Sequence, residues 1–213
     1  MTRATARTLI RATFATWLGL SLSLELSAQV AEPVRKDAAA LMDDLMADRG
    51  RIGRPFSLTY QRGRRVGSEQ WQGSVVLLYF GYLSCPDACP TDLAAIGLAI
   101  GTLGPLGDRV QPVFVTLDPQ RDTAAQLGPY TQRFHPRFLA LRGTEQETRD
   151  IAHAYKVYFE KIPVGATQDY AIDHTSFIYV LDTHGRYAGF FPPGTSGARI
   201  ADRLREMIRE NPP

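Results

Sequence analysis

The residues best equipped for chemistry in this sequence are its two cysteines, Cys85 and Cys89, set in the run S-C-P-D-A-C-P. Four positions apart, they can turn their sulfurs to one side, whether the segment is a helical turn or a loop. Such a pair can share a metal ion or close a disulfide. A disulfide would close only a tiny loop and constrain little of the unfolded chain, so a structural bridge is the weaker reading. The C-x-x-C spacing is absent. Pro90 suits the first position of a helix, where its missing N–H costs nothing, and this places Cys89 at the N-cap. A thiol there lies at the positive end of the helix dipole, and its pKa is expected to be lowered.

The flanking elements explain how the thiols are presented. Val75 to Tyr82 is an uncharged apolar and aromatic run, which predicts a strand buried on both faces of a sheet. After the cysteines, Leu93, Ile96, Ile100 and Leu103 recur at helical spacing and form one apolar stripe. Val110 to Leu117 is a second buried strand, so strand, helix and strand imply a parallel βαβ unit with a right-handed crossover. Upstream, Phe56, Leu58 and Tyr60 alternate before a Gly63 turn and Val66, which predicts a small hairpin.

Downstream, Leu127, Tyr130 and Phe134 have helical spacing, but Gly128-Pro129 lies among them. Proline inside a helix costs about 3 kcal/mol, so a kink or a late start at Pro129 is expected. Phe138 to Leu141 reads as a short strand. Thr144 and Glu147 form a capping-box pattern opening a helix whose inner face carries Ile151, Tyr155 and Tyr158. Phe177 to Leu181, a turn at Thr183-His184-Gly185, and Arg186 to Phe191 make a hairpin. A last helix over Gly197 to Glu210 carries the stripe Ile200, Leu204, Met207 and Ile208. Alternating strands and helices in one domain give the α/β class.

Two thiolates leave a copper or zinc site incomplete, so a third ligand is to be sought among the four histidines. His135 lies beside a proline in a loop, His153 falls in the polar register of a helix, and His184 sits at a hairpin tip; each reads as a surface residue. His174, in DYAIDHTSFIYVLD, is placed at the start of a strand of the central sheet. Sites in α/β sheets gather at strand ends. On the residues alone, His174 is open between a ligand and a structural role.

The 213 residues support one ordinary domain with some appended sequence. At 22% charged and a formal net charge of +2, nothing points to nucleic acid. One basic cluster, Arg49, Arg51, Arg54, Arg62, Arg64 and Arg65, reads as a solvated loop face, with a docking patch for an acidic partner second. Arg3, Arg7 and Arg11 precede the apolar stretch Ala12 to Leu24, and small residues follow. That is the order of a secretory signal. As a helix it would reach about 20 Å against a hydrocarbon core of about 30 Å, which favours cleavage over an uncleaved anchor. A mitochondrial transit peptide is the alternative. Residues 1–30 are thus expected to be a signal peptide or short membrane anchor. Residues 31–52 are expected to be a linker with a short amphipathic helix from Asp37 to Ala47, and residues 53–213 the functional domain.

YFGYLSCPDACPTDL resembles the metal-binding signature of the SCO/SenC copper-chaperone family of cytochrome c oxidase assembly. The resemblance extends to LDPQRDT (117–123), FHPRFLALRGT (134–144) and YAIDHTSFIYVLDTHGRY (170–187), and PFSLTYQRGRRV fits the family's opening hairpin. It covers about Gly53 to Glu210. It implies a thioredoxin-like fold, a central mixed sheet flanked by helices with an added N-terminal β-hairpin. It also implies one copper per chain held by two cysteines and one histidine, which map to Cys85, Cys89 and His174. Soft thiolates select Cu(I) and imidazole also suits Cu(II), so the set can hold either state. Thr175 stands where the family usually has Ser, and Gly128-Pro129 interrupts a family helix. Asp118 and Asp122 are typical family acids, read here as loop caps rather than partner-docking groups.

The function implied is a metallochaperone, a carrier rather than an enzyme, delivering copper to the CuA-bearing subunit of cytochrome c oxidase. Other copper chaperones are further partners, and the membrane is met only through the N-terminal segment. Two alternatives remain: a thiol–disulfide oxidoreductase acting on the CuA cysteines, or a redox or copper sensor. The expected location is the periplasm or the periplasmic face of the inner membrane. The mitochondrial inner membrane, facing the intermembrane space, is the alternative.

Overall fold

Every residue of β3 (Val75–Gly81) is buried, and this strand lies inside a seven-stranded sheet in the computed structural model. The structure describes Asp43, Ala47 and residues 52–60, 63–165 and 169–210. All of them lie in one unit, Lys36–Pro213. The signal or anchor at 1–30, most of the linker, and Arg49, Arg51 and Arg62 of the basic cluster lie outside the described residues. Asp43 and Ala47, within the expected linker helix, are helical.

The other strands are β1 (Ser57–Tyr60), β2 (Arg65–Gly67), β4 (Val110–Thr116), β5 (Leu139–Arg142), β8 (Ile178–Leu181) and β9 (Tyr187–Phe191), in the order β2-β1-β5-β4-β3-β8-β9. β3, β4 and β5 run parallel, with Tyr79 opposite Phe114 and Val115 opposite Leu141. The two hairpins close the edges antiparallel, β1–β2 against β5 and β8–β9 against β3. The sheet is therefore mixed, as expected, with the opening hairpin at one edge.

Among the described residues four α-helices cover it: α1 (Ala88–Leu103), α2 (Ala124–Gln132), α3 (Glu145–Ala154) and α4 (Gly197–Glu210). Successive side chains of a strand point to opposite faces. Tyr79 accordingly meets Phe114 and, through its hydroxyl, Asp92 of α1, whereas Phe80 packs on Tyr155 and Tyr179. Both faces are covered, and β3 and β4 can be apolar throughout. Ala88–Arg109 is long and apolar enough to cross a membrane by length and composition. Its apolar side chains Leu93, Ile96, Ile100 and Leu103 are instead buried in the core, with the α4 stripe Ile200, Leu204, Met207 and Ile208. Each such burial contributes about 1.5–3 kcal/mol.

Three expectations are corrected. α2 starts at Ala124, which overturns the late start at Pro129 but not the alternative of a kink, since Pro129 sits inside the helix. The start is fixed by Thr123, whose N–H and hydroxyl both donate to Gln126 Oε1, at 3.1 and 2.7 Å. The capping box outweighs the proline. In α3 the Thr144–Glu147 box forms as expected, but the helix ends at Ala154, and Lys156 turns the chain out with φ of 57°. Tyr158 therefore lies beyond the helix, while Ile151 and Tyr155 are buried. Lastly, β6 (Phe159–Pro163) and β7 (Tyr170–His174) pair antiparallel as a separate two-stranded sheet that the periodicity did not announce.

Candidate metal centre

β3 ends at Gly81, and the Tyr82–Asp87 loop leads into α1, which opens at Ala88 with Asp87 as N-cap. Cys89 is fully buried and Cys85 half-buried; neither is in a disulfide. A Cβ at Gly81 would lie 2.7 Å from Cys89 Sγ. Glycine at the strand end is what lets that sulfur pack against the sheet. His174 is the last residue of β7, placed opposite Phe159. It is outside the central sheet, and β8 begins only at Ile178, so its expected place at the start of a central strand is corrected.

The topology nonetheless brings the three together. The sulfurs of Cys85 and Cys89 and a ring nitrogen of His174 all lie within 4.8 Å of one another. Cys89 Sγ is 3.5 Å from His174 Nε2. Bonds of about 2.3 Å to a metal allow two ligand atoms to sit up to about 4.6 Å apart, so little closure is needed to hold one ion. His174 Nδ1 lies 3.1 Å from the Thr175 carbonyl, which can only accept. Nδ1 therefore carries a proton, and in the neutral ring the Nε2 lone pair faces the sulfurs. The Tyr82 ring meets the imidazole edge-on, with centroids 5.9 Å apart.

The electrostatics reverse the expected thiol assignment. Cys89 is the second residue of α1, not its N-cap. Its N–H donates to Cys85 Sγ at 3.4 Å, so the Cys85 sulfur takes a capping position that the Asp87 side chain leaves unused. The Cys89 thiol first, and then the Cys89 and Asp87 amides, push the Cys85 pKa down to about 3 against the opposing effect of burial. The Cys89 pKa is raised, first by sharing its proton with the Cys85 thiolate and then by burial. The thiolate of the pair is Cys85.

Beneath the sulfurs lies a polar layer that the sequence reading missed. The Tyr79 hydroxyl donates to Asp92 Oδ2 at 3.1 Å, and the Gly194 amide donates to Asp92 Oδ1 at 3.0 Å. Burial raises the pKa of both Tyr79 and Asp92. Asp92 is three residues after Cys89, hence on the same helix face, and that spacing was its one sequence signal. Asp118 and Asp122 are buried rather than displayed. Asp118 accepts from Arg121 of its own loop and from the Tyr170 hydroxyl, and Asp122 from the Thr116 hydroxyl at the loop's start and from the Leu83 amide. Thr175 receives the Tyr158 N–H on its hydroxyl at 3.1 Å. His153 and His184 are exposed, as expected. His135 is half-buried, and its pKa is lowered by burial and then by Arg137. Of the described basic residues in the Arg cluster, Arg54, Arg64 and Arg65 are exposed, and Arg65 pairs with Glu147.

Comparison with known proteins agrees with this geometry. Residues 45–209 match the model of the SCO1/SenC family. An SCO2-like protein of Rickettsia prowazekii is 39% identical over 163 residues, covering 76% of this chain and 80% of that protein. The crystal structure of Arabidopsis thaliana ScoI with copper bound has a TM-score of 0.70 at 34% identity, covering 75% of this chain and 99% of that one. BsSco, a member of the Sco family of cytochrome c oxidase assembly proteins in which a disulfide switch was identified, has a TM-score of 0.59 at 19% identity, covering 76% and 96%. At that identity the last likeness speaks for the fold alone.

Proposed function

The chain belongs to the SCO1/SenC family, and from that premise we propose that it is a copper metallochaperone serving the CuA centre of cytochrome c oxidase. It takes one copper ion as cargo on Cys85, Cys89 and His174. The observation that carries this reading is the convergence of two sulfurs and one imidazole nitrogen within 4.8 Å. A soft S₂N set suits copper in both oxidation states, and among the described residues no fourth His, Cys, Asp or Glu joins the group to lock the ion in place. Copper-bound structures in the same family support the choice of metal. Half-exposed Cys85 is the ligand a partner thiolate reaches first, while buried Cys89 holds the ion from within and His174, half-buried like Cys85, closes the third side. Cargo can then pass by stepwise ligand exchange to the CuA-bearing subunit. Other copper chaperones would load the site, and the N-terminal segment would place the domain on the periplasmic side of the inner membrane.

One observation favours a second reading. A low-pKa, half-exposed Cys85 beside a buried protonated Cys89 is also the arrangement of an attacking and a resolving thiol. In a reductase, the Cys85 thiolate would attack a partner disulfide and release one partner thiol. Cys89 would then displace the other, leaving the Cys85–Cys89 disulfide and the partner reduced by two electrons. The His174→Ala substitution separates the two. It should keep thiol exchange with an oxidised CuA peptide, lose Cu(II) binding, and fail to restore oxidase activity in a deletion strain. Full complementation by His174→Ala, with Cys85→Ser and Cys89→Ser inactive, would hand the function to the reductase.

A further inference from the structure

The three candidate ligands come from two pieces of structure that share no strand ladder. Cys85 and Cys89 follow β3 of the central sheet, whereas His174 ends the separate β6–β7 hairpin. Something must hold the hairpin in register with the thiols. One end is pinned near His174, where the Thr175 amide donates to the Tyr158 carbonyl at 2.9 Å. The other end meets the loop between β4 and α2, residues 117–123.

That loop grips the hairpin through Arg121. Its Nη1 donates to the Tyr170 carbonyl and to Asp169 Oδ1, each at 2.8 Å. Its guanidinium lies 3.7 Å from the centroid of the Tyr170 ring, and its Nε donates to buried Asp118. The Tyr170 hydroxyl returns to Asp118 Oδ1 at 2.8 Å. From the hairpin's other strand, β6, Lys161 Nζ donates to Gln120 Oε1 at 2.9 Å. The same loop holds the other half of the site, since Asp122 accepts the amide of Leu83, two residues before Cys85, at 3.1 Å.

We propose that Arg121 is a positioning residue for the metal centre. Clamping Tyr170 onto the 117–123 loop, it fixes the strand that carries His174 against the loop that carries the cysteines. This rests on the copper reading above for its consequence, but the clamp itself is a property of the metal-free protein. A planar guanidinium serves a carboxylate, a carbonyl and a ring face from one rigid fork that stacks flat on the ring; an ammonium is a flexible point charge without that fork or face. Arg121→Lys keeps a cation beside Asp118 yet loses the grip on β7, and Tyr170→Phe removes only the bond to Asp118.

The test uses the full-length reduced protein, with hydrogen exchange of the metal-free form and copper titration as separate readouts. Arg121→Lys should speed amide exchange in Tyr170–His174 while α1 and β3 stay protected. It should weaken Cu(II) binding about 10–100-fold, the usual effect of disturbing groups that orient a ligand. Nitrogen superhyperfine coupling in the Cu(II) spectrum should fade, and Cu(I) capacity and Cys85 alkylation should stay at wild-type values. Tyr170→Phe should show the same pattern to a smaller degree. Wild-type exchange and Cu(II) affinity in a folded Arg121→Lys protein would overturn the clamp. So would an equal loss of Cu(I) binding and thiol reactivity, which would mark a general structural role. If the wild-type protein binds no copper, the chaperone reading fails instead, and hairpin exchange in Arg121→Lys still decides the clamp.

Discussion

Cys85 keeps a half-exposed sulfur that accepts the Cys89 amide, while the Cys89 sulfur is sealed against Gly81. Their division of labour follows from these contacts. In the reduced, metal-free protein, alkylation should strike Cys85 and spare Cys89. A lowered pKa keeps the thiolate populated above it, so the rate should be flat from about pH 5 to 8 and fall only as pH drops toward about 3. A midpoint near the ordinary thiol value would contradict this. The sequence showed that two thiols meet a helix start. It did not show which would ionise, because that depends on a two-residue shift of the helix start. Moving the N-cap from Cys89 to Asp87 turns Cys85 into the acceptor. His174 was visible only as a histidine unlike the other three, since its ligand role requires a hairpin to fold back over the cysteines.

At the scale of elements, strands and helices with strong periodicity were legible: β3, β4, α1 and α4 stand where their apolar patterns put them. The misreadings came where local signals competed. Thr123 with Gln126 starts α2 despite Pro129, and in the β6–β7 hairpin the first strand is mostly exposed while the second is anchored by bonds to a loop, so neither shows a clean alternation. The approach of α1 to β3 gives a prediction at this scale. Gly81→Ala places a methyl 2.7 Å from Cys89 Sγ, so the helix start must move. Thermal or denaturant unfolding should show a loss of about 1–3 kcal/mol, typical of overpacking, together with weaker copper binding. Unchanged stability and affinity would mean that the contact is easily relieved.

For the molecule as a whole, the mixed sheet, its helical cover and its edge hairpins follow from alternating buried strands and helices, and the family match spans residues 45–209. Location is argued from residues 1–30, whose basic-then-apolar order reads as an export address. Fusing residues 1–36 to a reporter active only after export should give an active reporter. A silent reporter, with the protein in the cytosol, would contradict export. The central claim is that one copper sits on two sulfurs and one imidazole, and copper K-edge X-ray absorption on the reconstituted protein addresses it most directly. One copper per chain, with two sulfur scatterers and one nitrogen scatterer that vanishes in His174→Ala, is the predicted result. Sulfur-only coordination that is identical in His174→Ala, or no tightly held copper, would contradict it.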